Sequence, residues 1–118
     1  MRKTVSSGSY LEPKIGFSRA VRIGNTVAVG GTAPIAAGGG TDCIGDVYGQ
    51  TKRCLDIALE ALAKAGGHAE DVIRTRIILT DIKTFDGAAR AHAEVFTEIR
   101  PVTTVMDCLL YTSPSPRD

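Results

Sequence analysis

The sequence points to an α+β domain: a mixed β-sheet with two helices packed on one face, in the order β-β-β-α-β-α-β. Three observations carry this. A Gly24-Asn25 turn separates two runs that read as strands. Two long stripes of apolar residues recur at helical spacing. Two more β-branched runs, Val72–Thr80 and Val102–Met106, stand before and after the second stripe. Two amphipathic helices have to bury their stripes somewhere, and one face of a shared sheet is the economical place.

Residues 2–6 form a short predicted strand that ends at the turn-rich Ser7-Gly8-Ser9. Ser18–Ile23 interleaves Arg19 and Arg22 with Ala20, Val21 and Ile23. Gly24-Asn25 tolerates positive φ, so Thr26–Gly31 reads as the return strand of an antiparallel hairpin. Pro34–Gly45, with three consecutive glycines, is a loop. Asp46 is a plausible N-cap for a helix from Val47 to Ala65, about 28 Å long at 1.5 Å per residue. Its apolar stripe is Cys54, Ile57, Ala58, Ala61, Leu62 and Ala65, with Glu60 and Lys64 paired four residues apart on the outer face. Gly66-Gly67 ends it by allowing a left-handed residue. The strongest predicted strand follows, with Arg74 and Arg76 on one face. Those two cations need either solvent or polar partners across a subunit contact. A second helix is predicted from Phe85 to Ile99, with Phe85, Ala88, Ala89, His92, Val95, Phe96 and Ile99 on one face. Arg100-Pro101 stops it, because the residue before proline resists the helical region.

Composition narrows the function. The chain has 118 residues, 43% apolar and 23% charged, which suits one soluble domain. A net charge of +1 gives no basic excess for nucleic acid or acidic lipid. No apolar run approaches the ~20 residues of a membrane span, and the N-terminus lacks the apolar stretch of a signal peptide. Three widely spaced cysteines (Cys43, Cys54, Cys108) argue against a disulfide framework and fit a reducing cytoplasm. Two histidines without a CxxC or HxxxH pair make a metal site unexpected, and no cofactor motif stands out. Gly30-Gly31 and Gly38-Gly39-Gly40 lack the strand–loop–helix context and the Lys-Ser/Thr of a phosphate loop.

The last eleven residues, Cys108–Asp118, change character, and their Ser-Pro-Ser-Pro cannot lie in a central strand. They read either as a disordered tail or as a non-native one, since the same peptide is encoded by a string resembling a transposase-type sequencing adapter. On the second reading the natural frame breaks near Asp107, and the native residue there is Asp or Glu.

Gly16–Gly31, Gln50-Thr51, Ala65-Gly66-Gly67 with Glu70-Asp71-Val72, Leu79–Ile82 with Phe85, and Phe96 with Arg100-Pro101 and Thr104-Val105 together resemble the RidA (YjgF-like, RutC-like) family of reactive-intermediate deaminases. The resemblance covers nearly all of residues 4–107, so residues 1–107 are expected to be a RidA-like domain, incomplete at its C-terminus, with 108–118 as the tail. It implies a chorismate-mutase-like fold of the bacillus type whose final strand is missing from this chain. It also implies a homotrimer whose sheets form a central barrel, with small-molecule clefts between subunits. Loss of that strand would leave a sheet edge open and the chain less stable.

In the family's deaminase branch, enamines and imines left by dehydratases are hydrolysed to 2-oxo acids and ammonia. The resemblance assigns an Arg after the late Pro to the substrate carboxylate, with a Tyr, an Asn and a C-terminal Glu completing the site. This chain departs from that pattern: Thr103 stands at the Arg position, Phe17 at the Tyr and Ala89 at the Asn, while the Glu falls beyond Asp107. No catalytic residue is therefore assigned. Cleft candidates by position are Phe17, Ser18, Arg19, Gly31, Thr32, Arg76, His92, Thr103, Thr104 and Asp107. His92 is either a core histidine or a catalytic one, and Arg19 either a surface cation or an anion ligand. Two readings stay open: a hydrolase or deaminase acting on a small imine, enamine or related carbonyl compound, and a non-catalytic ligand-binding or regulatory trimer.

Overall fold

The computed structural model describes residues 1–108. β1 (Arg2–Val5), β2 (Ala20–Ile23) and β3 (Thr26–Val29) form an antiparallel sheet with β2 in the middle. The β2–β3 turn is the predicted Gly24-Asn25, with Gly24 at φ 60°, where a side chain is strained. Between β1 and β2 the chain makes one π-helical turn, Glu12–Gly16, that no sequence pattern announced.

α1 (Val47–Lys64) lies on this first sheet. Ala61 and Ala65 meet Val5 and Ala20, with Val27 packed against them. Three of the four core side chains are alanines, so the helix sits close to the strands. Gly66 takes φ 96° and Gly67 donates its N–H to the Leu62 carbonyl at 2.9 Å, which closes the helix as predicted. Arg22 ties the same end to the sheet, its Nη1 donating to the Ala65 carbonyl at 2.8 Å. A cation there also suits the negative end of the helix dipole. Asp46 occupies the N-cap position without making a side-chain capping bond. The Glu60–Lys64 pair forms on the exposed face at 3.6 Å.

β4 (Arg74–Leu79) and β5 (Val102–Asp107) pair in parallel, with α2 (Phe85–Phe96) as the crossover between them. α2 is three residues shorter than its periodicity predicted. Arg100 adopts φ 57° and donates its N–H to the Phe96 carbonyl at 2.8 Å, so the left-handed stop comes before Pro101 rather than at it. The buried stripe of α2 centres on Ala88 and Ala91, both 0% exposed, and Phe96; Ala91 was not on the predicted face, and Phe85 at the helix start is exposed. A Cβ on Gly87 would come within 3.0 Å of the Tyr48 backbone nitrogen, which shows how closely α1 and α2 approach.

The predicted strands are therefore present in order, and the antiparallel and parallel parts are hydrogen-bonded as two separate sheets. Among the described residues β3 pairs only with β2, and β4 only with β5. A groove of about 730 Å³ separates them, lined in part by Val27, Val29, Leu62, Ile73 and Arg74. Cys108, placed in the tail by its sequence, donates its N–H to the Leu79 carbonyl at 2.7 Å and extends the β4–β5 pairing by one residue. The rest of that tail, and the strand expected beyond Asp107, lie outside the described residues.

Because Ala91 is fully buried in the helix stripe, Ala91→Leu is expected to destabilise the protein by roughly 1–3 kcal/mol through overpacking. Urea unfolding followed by circular dichroism reads this as a lower midpoint at unchanged slope. An unchanged midpoint would mean that α2 has room for a larger side chain at this position.

Candidate functional site

Eight of the ten residues singled out from the sequence gather in two places. The first surrounds Arg19, just before β2. Its guanidinium lies over the Phe17 ring, 5.4 Å from the centroid. Its Nη1 donates to the Gly31 carbonyl and reaches the Thr32 hydroxyl at 3.4 Å. Thr32 in turn donates to the Gly30 carbonyl at 2.9 Å. Backbone pairing holds the group in place: the Arg19 N–H donates to the Val5 carbonyl and the Gly30 N–H to the Arg19 carbonyl, both at 2.8 Å. Ser18 is half-buried beside it. Arg19 is thus fixed by neutral partners and by an aromatic face, and its Nε is buried without a hydrogen-bond partner.

The second place is the helix-covered face of β4–β5. The register sets Thr75 opposite Thr103, and their hydroxyls are 2.8 Å apart. The Thr75 hydroxyl also lies 2.9 Å from His92 Nε2 on α2. The His92 ring rests on Phe96, with centroids 4.6 Å apart. Burial lowers the pKa of His92 below the ordinary imidazole value and so favours the neutral ring. His92 is therefore neither a purely apolar core residue nor an isolated one. Thr75, which no sequence pattern marks, links it to Thr103. A β-branched residue in a β-branched strand gives no warning of this; only the register with β5 does.

Arg76 and Thr104 form a register pair, exposed on the other face of β4–β5. Asp107 pairs with Leu79 on the Thr103 face and is exposed. Within one chain Arg74 and Arg76 are both exposed. None of the ten lines the groove between β3 and β4. Cys43 is exposed and its thiol pKa is raised, by desolvation first and then by the carboxylates of Asp42 and Asp46. Cys54 is half-buried and raised by burial. Neither has the character of an activated thiolate. Among the described residues no three His, Cys, Asp or Glu side chains converge as metal ligands, and no helix is long and apolar enough to cross a membrane.

Two further groups hold the frame. On the outer surface Tyr48 of α1 donates to Glu94 of α2 at 2.7 Å, Lys52 pairs with Glu94 at 3.0 Å, and Arg90 lies over the Tyr48 ring at 4.3 Å. These contacts clamp the two helices together. The Tyr48 hydroxyl, followed by the Lys52 ammonium, lowers the Glu94 pKa. Near the first cluster, Glu12 accepts from the Ser7 hydroxyl at 2.7 Å and the Ser7 N–H at 2.9 Å, while its own carbonyl accepts from the Phe17 N–H at 3.0 Å. Glu12 thereby pins the serine loop to the turn that delivers Phe17.

The hydrogen bond from the Ser7 side chain outweighs desolvation and holds the Glu12 carboxyl down at about 2, against an ordinary 4.5. The folded state thus favours the ionised form. Its contribution to stability is complete above about pH 4.5 and is lost as the pH falls towards 2. Glu12→Gln is expected to lower the melting temperature at pH 7, by about 1 kcal/mol of stability, and to flatten the acid loss in that window. Thermal melts of both proteins from pH 7 down to pH 2 check this; parallel curves would mean that the Glu12 carboxylate does not pin the serine loop.

Residues 8–112 match the family described as Endoribonuclease L-PSP. A Streptomyces coelicolor protein is 43% identical over 107 residues, covering 88% of this chain and 77% of its own. The 3-aminoacrylate deaminase RutC of Acinetobacter baylyi is 30% identical over 89 residues, covering 75% of this chain and 71% of its own. The crystal structure of a YjgF-family member from Mycobacterium tuberculosis is 39% identical and superposes with a TM-score of 0.83, covering 97% of this chain and 90% of that one. The match over most of the chain, the shared mixed α+β fold and the relatives at these identities place the protein in the Endoribonuclease L-PSP family, the YjgF/RidA-like proteins.

Proposed function

We propose that the protein is a hydrolase of the deaminase type, acting on a small imine, enamine or related carbonyl compound that carries no carboxylate. The observation that carries this reading is the exposed Thr103 hydroxyl, backed by Thr75 and His92, at the position where the family resemblance calls for a guanidinium. An imine carbon is already electrophilic. The site has to hold the substrate, present water and move a proton, and hydroxyls with an imidazole suit that work. A fixed carboxylate would need a charge-assisted fork, which Thr103 cannot offer. Arg19 is occupied by Gly31 and Thr32, and Arg76 lies on the opposite sheet face. The aminoacrylate deaminase among the relatives supports the reaction class.

In this reading the cleft forms between copies of a homotrimer. Two features favour it. Among the described residues no hydrogen bond joins the Arg19 cluster to the Thr103 cluster. The face of β4–β5 away from the helices exposes Ile78, Val102 and Met106 beside Arg74 and Arg76. An apolar sheet face of this kind is a natural contact surface. Free Cys43, Cys54 and Cys108 suit a reducing cytoplasm.

The test supplies the full chain with 2-aminoacrylate, released by a dehydratase, and separately with a small aliphatic aldimine, released by an amine oxidase. The aldimine is expected to be hydrolysed at least about tenfold faster than in buffer, and 2-aminoacrylate near its background rate. Thr103→Arg is expected to raise turnover of 2-aminoacrylate about tenfold by restoring the fork. No acceleration of either compound, beside an active deaminase control, would contradict the hydrolase reading. A thermal shift with small carbonyl compounds in that case would leave a binding protein.

A further inference from the structure

We infer that Thr75 is a positioning residue that couples the His92 ring to the Thr103 hydroxyl, so that a proton at His92 Nε2 decides whether Thr103 donates to or accepts from a ligand. The inference builds on the cleft proposed above and assigns a role to a residue that neither the sequence nor the family pattern marks.

The geometry is a chain of three polar side chains from three elements. His92 Nε2 and the Thr75 hydroxyl are 2.9 Å apart, and the Thr75 and Thr103 hydroxyls are 2.8 Å apart. A hydroxyl has one proton to give and two lone pairs to receive with, so the middle of the chain must align with its ends. With Nε2 unprotonated, Thr75 donates to the ring and Thr103 donates to Thr75. The Thr103 oxygen then accepts from a ligand N–H or a water. With Nε2 protonated, the order reverses: the ring donates to Thr75, Thr75 donates to Thr103, and Thr103 donates outward. Its alternative acceptor, the Pro101 carbonyl, lies at the long distance of 3.3 Å. The ends differ as a relay requires. His92 is half-buried against Phe96 and Thr103 is exposed.

For a protonated imine the chain runs once in each direction. Water attacks the imine carbon; the C–O bond forms and the C=N π pair moves to nitrogen. The surplus water proton passes to Thr103, a Thr103 proton to Thr75, and a Thr75 proton to Nε2. On the return, the ring proton travels outward to the carbinolamine nitrogen. The C–N bond then breaks as the C–OH group becomes C=O, and ammonia leaves with the hydroxyl proton as ammonium. No other reactant is needed.

The charged groups around His92 leave its titration to this chain. Arg90 and Glu94 on α2 engage Tyr48, and Lys52 of α1 joins them through Glu94 on the outer surface. Arg74 and Arg76 occupy the far face of β4, and Asp107 lies four residues beyond Thr103 along β5. Burial, rather than any charged neighbour, lowers the pKa of the ring.

The experiment follows the His92 ring of the full chain by NMR from pH 4 to 8, in the wild type, Thr75→Val, Thr75→Ser and Thr103→Val, with aldimine hydrolysis measured across the same range. A protonated ring donates a stronger bond than a neutral ring accepts. Thr75→Val is therefore expected to move the titration midpoint down, and Thr75→Ser to restore it. Thr103→Val is expected to move it the same way by less, although Thr103 does not touch the ring. In hydrolysis, wild-type kcat is expected to fall as His92 protonates. Thr75→Val is expected to lose about a hundredfold in kcat at similar KM, together with that acid limb. Equal midpoints in the wild type, Thr75→Val and Thr103→Val would overturn the coupling, as would a Thr75→Val enzyme that keeps its rate and its limb. Shifted midpoints in a protein that hydrolyses nothing would sustain the coupling and defeat the hydrolase reading instead.

Discussion

The pairing of β4 with β5 organises this molecule. The register sets Thr75 against Thr103, Arg76 against Thr104 and Leu79 against Asp107. A slip of β5 by one residue would send every one of its side chains to the opposite face. Thr103 would then stand away from α2. Parallel strands also require a crossover, and here the crossover is α2, the element that carries His92. One β-α-β unit thus supplies all three members of the hydroxyl–imidazole chain.

The place of α2 depends in turn on small residues. Ala88 and Ala91 are fully buried, and Gly87 passes the start of α1 with no room for a side chain. The exposed Tyr48–Glu94–Lys52 group fixes the outer side of the same helix pair. Packing sets how closely the helices approach, and the surface group joins their outer sides. Such exposed pairs contribute little energy by themselves.

Much of the fold was legible from residue patterns. The Gly24-Asn25 hairpin, the length of α1 and its Gly66 stop, and the order of strands and helices all follow from local rules. Local rules failed where tertiary contacts decide. α2 stops at Phe96 because Arg100 turns left-handed, which a non-glycine residue seldom does. The turn at Glu12 is held by serines of a preceding loop rather than by any helical pattern. The site was legible only in part. Thr103 and His92 were marked by position, whereas Thr75 became visible through a cross-strand register that periodicity does not encode. The division of the strands into two sheets was equally hidden, since apolar alternation is the same for a paired edge and an open one.

Replacing a guanidinium by a hydroxyl changes what a cleft can recognise. A fixed cation selects anions at every pH near neutrality. A hydroxyl backed by a neutral imidazole selects by hydrogen-bond direction and can change that direction with one proton. The most direct measurement is the proton spectrum of the protein in cold neutral buffer, searched for a slowly exchanging Thr75 hydroxyl. A resolved hydroxyl resonance with cross-peaks to the His92 ring and to Thr103 is the expected result. If the Thr75 hydroxyl exchanges as fast as a solvated one and shows no link to either neighbour, the chain of contacts on which the functional reading stands does not exist in solution.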